Sequence, residues 1–135
     1  MNATQRRRLR KLADFLAGPV ARAHARVKKT GGRKFFMGFF ANATKIGLTK
    51  EMCGTTACAL GWATRVFPRT FELQGREGHV IVAPKGGEVQ DLAAHTREFF
   101  GLDEDQADDA FYLCEYARTP QEEAKLLRSL AAGRV

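Results

Sequence analysis

The stretch Cys53-Gly54-Thr55-Thr56-Ala57-Cys58-Ala59-Leu60-Gly61-Trp62-Ala63, running on to Phe67 and stopped by Pro68, decides the fold. Its apolar positions do not keep to one side. At helical spacing Cys58, Trp62 and Val66 share one face, Ala59, Ala63 and Phe67 the next, and Leu60 a third. A helix that is apolar all round belongs in a core. Gly54, Ala57, Ala59, Gly61 and Ala63 carry almost no bulk, so neighbouring elements can approach this backbone closely. The pattern predicts a buried helix that starts at Cys53-Gly54-Thr55-Thr56 and threads the molecule.

Towards the N-terminus, Asn42 to Lys50 has the character of a loop, and Phe35-Phe36-Met37-Gly38-Phe39-Phe40 is an apolar cluster expected to lie across the core. Leu9, Leu12, Phe15 and Leu16 make an amphipathic stripe over residues 5–17. Gly18-Pro19 should stop or kink that helix, because proline removes a donor and restrains the residue before it. A second, basic helix carrying Arg22, Arg26, Lys28 and Lys29 can start at Pro19.

Towards the C-terminus, Phe71 and Leu73 alternate with Glu72 and Gln74, and Val80-Ile81-Val82 is a β-branched run. Together they predict a hairpin turning at Gly75-Arg76-Glu77-Gly78. Three short helices follow. The first covers about 89–100 and ends at Gly101, the residue type favoured just past a helix. Asp103 and Gln106 form a capping box, with Leu102 able to staple onto Ala107, and that helix turns Ala107, Ala110, Phe111 and Cys114 inward. Thr119-Pro120-Gln121-Glu122 is another start signal, followed by the stripe Ala124, Leu127, Leu130 and Ala131. The expected fold is mainly α, of the α+β class: a small helical domain around a central buried helix, with one short β-hairpin. Residues 1–135 are expected to form a single domain, with a basic helical segment over 1–34 and the core over 35–135.

At 135 residues with 44% apolar content, the chain can build a working core. No apolar run approaches roughly 18 residues, so a membrane span is not expected. Met1 to Arg6 leads into no apolar segment of a secretory signal. Three cysteines argue against a disulfide framework and for a reducing, cytoplasmic setting. The net charge of +7 is uneven: residues 1–34 hold eleven Lys and Arg against one acid, Asp14, while 35–135 hold eleven against fourteen acids. Such a local excess suits a segment that meets phosphates or an acidic surface. Solubilisation is the plainer account of the same charge.

Chemistry concentrates at the predicted helix start. The first turn of a buried helix has N–H groups that need acceptors. Thr55 and Thr56 can bend a hydroxyl back to them. Alternatively, Gly54 clears space for a phosphate or carboxylate to supply those acceptors, with Arg26, Arg33 and Lys34 closing over it. An anionic small molecule, a nucleotide or nucleotide-like signal, is the partner this arrangement suits. A nucleic acid contacted by Arg6, Arg7, Arg8, Arg10 and Lys11 is the alternative, and an acidic host protein covered by the same helix is a third. The spacing is not that of a P-loop.

No catalytic constellation is expected. Cys53 at a helix start could be a nucleophile, but His24, His79 and His95 sit in no recognisable arrangement with it. Cys53, Cys58 and Cys114 lack the paired spacing of a zinc site, and the acids from Asp103 to Asp109 miss the Gly and closing Glu of an EF-hand. Neither an enzyme, a metal nor a cofactor is predicted.

Cys53 to Ala63 resembles a C-G-T-x-x-C-x-x-G-W-A pattern found in a loose group of small phage and bacterial proteins. In that group an F-D-M-like stretch tends to precede the motif and a G-L-x-x-x-x-A-x-x-[LF]-F-like helix to follow. Phe35-Phe36-Met37 and Gly101-Leu102 through Ala107 to Phe111 look like those parts, with Phe36 where an acid is usual. The resemblance implies a phage-type accessory protein acting in a bacterial host cell, on host machinery or defence. It brings no functional residues with it.

Overall fold

The computed structural model describes residues 1–28, 41–43, 55–57, 59–76, 79–112 and 118–133. Helix α1 spans Ala3–Phe15 and opens with a reciprocal capping box in which Asn2 accepts from the Gln5 amide and the Gln5 side chain accepts from Asn2. Of the two outcomes expected at Gly18-Pro19, a stop or a kink, the stop does not occur. The helix widens into a π-helical turn over Leu16–Val20 and resumes as α2, Ala21–Lys28, with the Ala21 N–H donating to the Leu16 carbonyl five residues back. A proline in an ordinary helix clashes with the carbonyl four residues earlier; the wider turn relieves that clash and keeps the rod continuous. Leu9, Leu12, Ala13, Leu16, Val20 and Ala23 form one buried stripe along it.

Strands β1 (Ala41–Ala43) and β2 (Thr55–Ala57) pair antiparallel, with Ala41 opposite Ala57, Asn42 opposite Thr56 and Ala43 opposite Thr55. This overturns the expected helix start. Thr55 and Thr56 are extended, not the first turn of a helix, because β-branched residues suit a strand and β1 supplies the ladder partners. Asn42, expected in a loop, lies in β1. The buried helix is α3, Ala59–Val66, and there the expectation holds: Ala59, Leu60, Gly61, Trp62, Ala63 and Thr64 are all buried. Contacts from α1, β2, the hairpin and the turn after α5 reach it from different sides, which is why it is apolar all round.

The hairpin joins β3 (Phe71–Arg76) to β4 (His79–Pro84), in register from Phe71 opposite Pro84 to Arg76 opposite His79. Gly75 and Arg76, expected in the turn, belong to the strand. A 3₁₀ turn over Val89–Asp91 leads into α4, Leu92–Phe100. Gly101 closes α4 at φ 70, and a Cβ there would also collide with the Gln5 amide. Both effects demand glycine.

Helix α5 is short, Glu104–Ala107, capped by Asp103 and Gln106, and widens into a π-helical turn over Asp108–Tyr112. Helix α6, Pro120–Ala131, starts from the Thr119–Glu122 box and buries Ala124, Leu127, Leu130 and Ala131 against α1. One apolar cluster runs from Leu9 on α1 through Trp62, Phe71 and Phe100 to Ala131 on α6. Each large side chain so enclosed contributes about 1.5–3 kcal/mol relative to exposure. Phe100 ties the parts together, stacking on Phe111 at 5.3 Å and on Phe71 at 6.1 Å. The architecture is mainly α with a small hairpin, as the sequence pattern predicts, plus the three-residue β1–β2 ladder. No described helix is long and apolar enough to cross a membrane.

Candidate functional site

The anion site drawn from the sequence required Thr55 and Thr56 in the first turn of the buried helix. They lie in β2, and α3 begins only at Ala59. Gly54, Arg33 and Lys34 lie outside the described residues, and Arg26 is exposed near the end of α2. Of the three described residues, Thr55 and Thr56 lie on β2 and Arg26 on α2, and none is in the first turn of α3. Cys53, Cys58, Cys114 and the Phe35–Phe40 cluster also lie outside the described residues.

The alternative set, Arg6, Arg7, Arg8, Arg10 and Lys11, lies wholly on α1, and α2 continues the same rod with Arg22 and Arg26. Arg6, Arg7, Arg10 and Lys11 on α1, with Arg22 and Arg26 on α2, are all exposed. The rise of a helix places Arg6 and Arg26 about 30 Å apart along it. The rod's one acid, Asp14, is already matched by Arg128 from α6, Nη2 to Oδ1 at 2.9 Å. Arg6, Arg10, Arg22 and Arg26 meet no carboxylate among the described residues. Arg7 donates to the Thr4 hydroxyl at 3.2 Å, and Lys11 places its ammonium 5.5 Å from the centre of the Phe67 ring. These cations are exposed, and no carboxylate among the described residues pairs with them.

Arg8 behaves differently from its neighbours. Half-buried, it donates from Nη1 to the Phe99 carbonyl at 2.8 Å and lies 4.0 Å over the Phe99 ring. Gln5 donates to the Glu98 carbonyl at 2.9 Å. The last carbonyls of a helix have no intrahelical partner and carry the negative end of its dipole, so a cation and an amide from α1 satisfy the end of α4. Sequence inspection grouped Arg8 with the solvent-facing arginines; only the approach of α4 distinguishes it.

Gln5, Arg8, His95, Glu98 and Phe99 line an open hollow of about 380 Å³ beside the rod. His95 Nε2 is 3.2 Å from the Thr70 carbonyl. A carbonyl can only accept, so Nε2 carries the hydrogen of that bond. A smaller hollow of about 220 Å³ lies beside β3, among Thr64, Arg65, Glu72 and Lys85. There the Gln74 amide, the Gly86 N–H and the Lys85 ammonium hold the Glu72 carboxyl below its usual range.

The feature that sequence inspection missed is Glu123. Its side chain is fully buried, and one oxygen, Oε2, takes a 2.8 Å hydrogen bond from Arg118. The same guanidinium donates to the Asp109 carbonyl at 3.0 Å and stands 3.7 Å from the Asp109 carboxylate. Oε1 has no partner among the described residues. Burial pushes the Glu123 carboxyl up to about 7; the hydrogen bond and charge of Arg118 oppose that shift, and Asp109 adds to it. In sequence Glu123 looks like any acid in a first helical turn, so no local signal marks it.

Among the described residues no three His, Cys, Asp or Glu side chains gather as metal ligands. No protein-family model, no curated protein and no solved structure matches the chain.

Proposed function

We propose that this chain binds nucleic acid through the solvent side of the α1–α2 rod, with Arg6, Arg7, Arg10, Lys11, Arg22 and Arg26 contacting phosphates. The observation that carries this is charge without compensation among the described residues: the cations line a rod about 30 Å long, and the rod's one acid, Asp14, is paired with Arg128 from α6. A nucleic-acid strand advances about 3.4 Å per phosphate, so the rod is long enough to follow several successive ones. Thr55 and Thr56 lie in β2 and not at a helix start, whereas the helical rod that carries these cations is continuous, which favours the rod as the reading to test. A nonhydrolytic binder also needs no activated nucleophile. The phage-type accessory role rests on the motif at Cys53–Ala63 alone and is compatible with such a binder.

The test is a titration of the full chain against a labelled ~20-base-pair duplex and the matching single strand, between about 50 and 200 mM salt. Affinity should fall steeply with salt, with a logarithmic slope of about 0.9 per phosphate contacted on the duplex. Replacing Arg6, Arg7, Arg10 and Lys11 by alanine should weaken binding and flatten the slope by about one unit per lost contact. Absence of binding to either form at the lowest salt would refute the proposal, and capture of an acidic protein by the same helix would favour the third partner instead.

A further inference from the structure

We infer that the hollow beside the rod holds an unstacked, amino-bearing base, so that the favoured ligand is single-stranded nucleic acid. This rests on the proposal that the rod binds nucleic acid, and it names the form bound.

Three features point to a base. First, Arg8 presents a flat cation whose inner face is held 4.0 Å over Phe99 and whose position is fixed by the 2.8 Å bond to the Phe99 carbonyl. A guanidinium so braced offers its outer face for stacking, and stacking on aromatic and arginine planes is how proteins retain single strands without regard to much of their sequence. Second, the hollow adjoins the rod: Arg8 lines it, and Lys11, one turn on, places its ammonium over Phe67, whose ring centre is 4.9 Å from that of Phe99. A strand whose phosphates follow the rod can therefore turn a base inward, which a duplex cannot do without unpairing it. Third, beside the donors of Arg8 and Gln5 the hollow offers an acceptor: the exposed Glu98 contributes a carboxylate. Carboxylates accept from exocyclic amines such as cytosine N4. Thymine offers no such amine. The Glu98 charge also disfavours a phosphate in the hollow itself, which orients the strand with its backbone on the rod and its base inside.

The experiment compares full-length protein on labelled oligo-dC, oligo-dA and oligo-dT of one length, and on a duplex of that length, at a single salt concentration. Oligo-dC and oligo-dA should bind about tenfold or more tighter than the duplex, and oligo-dT should fall clearly behind them. Glu98→Ala, at an exposed site, should bring oligo-dC down to the level of oligo-dT. Arg8→Lys, which keeps the charge and removes the plane, should erase the preference for single strands; thermal unfolding of each variant checks that the fold survives. If all oligonucleotides bind alike, or if Glu98→Ala leaves the order of bases unchanged, the hollow is not a base site, and only the binding of phosphates by the rod stands. If none binds, the nucleic-acid proposal and the base site both fail.

Discussion

Helices α1 and α6 lie side by side, and each opens with a reciprocal capping box, from Asn2 on one and Thr119 on the other. They handle charge in opposite ways. Along α1 the cations Arg6, Arg7, Arg10 and Lys11 are exposed to water and available to a partner. On α6 the acid Glu123 is drawn into the core, held by one arginine and left with an oxygen that has no partner among the described residues. The two helices thus show that residue type does not decide whether a charge is a contact surface or a structural liability. Depth does, because an ion in water is already solvated, whereas a buried one depends on whatever neighbour the fold provides.

The largest effect expected from testing this contrast is on the buried side. Arg118→Ala would leave Glu123 without its cation, and urea unfolding at pH 8 should show a loss of about 3–5 kcal/mol. At pH 5 the loss should be smaller, since the carboxyl can take up a proton. Equal losses at both pH values would mean that Glu123 is not the group that suffers.

Next in size is the pH dependence itself. The folded chain holds the Glu123 proton to about pH 7, while the unfolded chain releases it in the ordinary carboxyl range. Between those limits the native state binds more protons than the unfolded one, so this group's contribution is complete at acid pH and is lost as pH rises through 7. The change is on the order of 3 kcal/mol. Glu123→Gln should flatten that part of the stability profile; a slope that persists in the variant would assign it to another group.

The caps come third and should behave alike on the two helices. Asn2→Ala and Thr119→Ala should each lower stability by about 1 kcal/mol in thermal or denaturant unfolding. A much smaller effect for Asn2 would mean that α1 is held by its packing alone. Smallest of all is the effect of removing the exposed cations. Alanine at Arg6, Arg7, Arg10 and Lys11 should change stability by less than about 0.5 kcal/mol per site while weakening nucleic-acid binding. A large loss of stability would show that these side chains are structural after all, as Arg8 is.

The caps also show what kind of information a chain carries locally. Asp103 with Gln106 and Thr119 with Glu122 were legible because each box is completed within four residues. Asn2 with Gln5 has the same form but stands seven residues before the first apolar residue of the stripe, Leu9, so the pattern does not tie it to that helix. The burial of α3 was legible from its apolar composition on every side. Its start was not, because Thr55 and Thr56 take their strand partners from Ala41–Ala43, well back in the chain. The π-helical turn at Leu16–Val20 was missed for a related reason: proline disfavours an ordinary helix, and only packing of the stripe on both sides of it makes a widened turn preferable to a break.

Sequence by itself determined the elements whose stabilising contacts are near neighbours: the capped helices, the hairpin, the all-apolar pin and the concentration of positive charge in the first 34 residues. Tertiary structure decided which of those charges is a surface and which is a brace. Arg7 and Arg8 are adjacent and chemically identical, yet Arg7 stands in solvent while Arg8 closes the end of α4 over Phe99. Glu122 and Glu123 differ in the same way, one completing an exposed cap and the other entering the core. The cause is that one step along a helix turns a side chain by about 100°, and whether that direction leads to water or to another helix depends on partners distant in the chain.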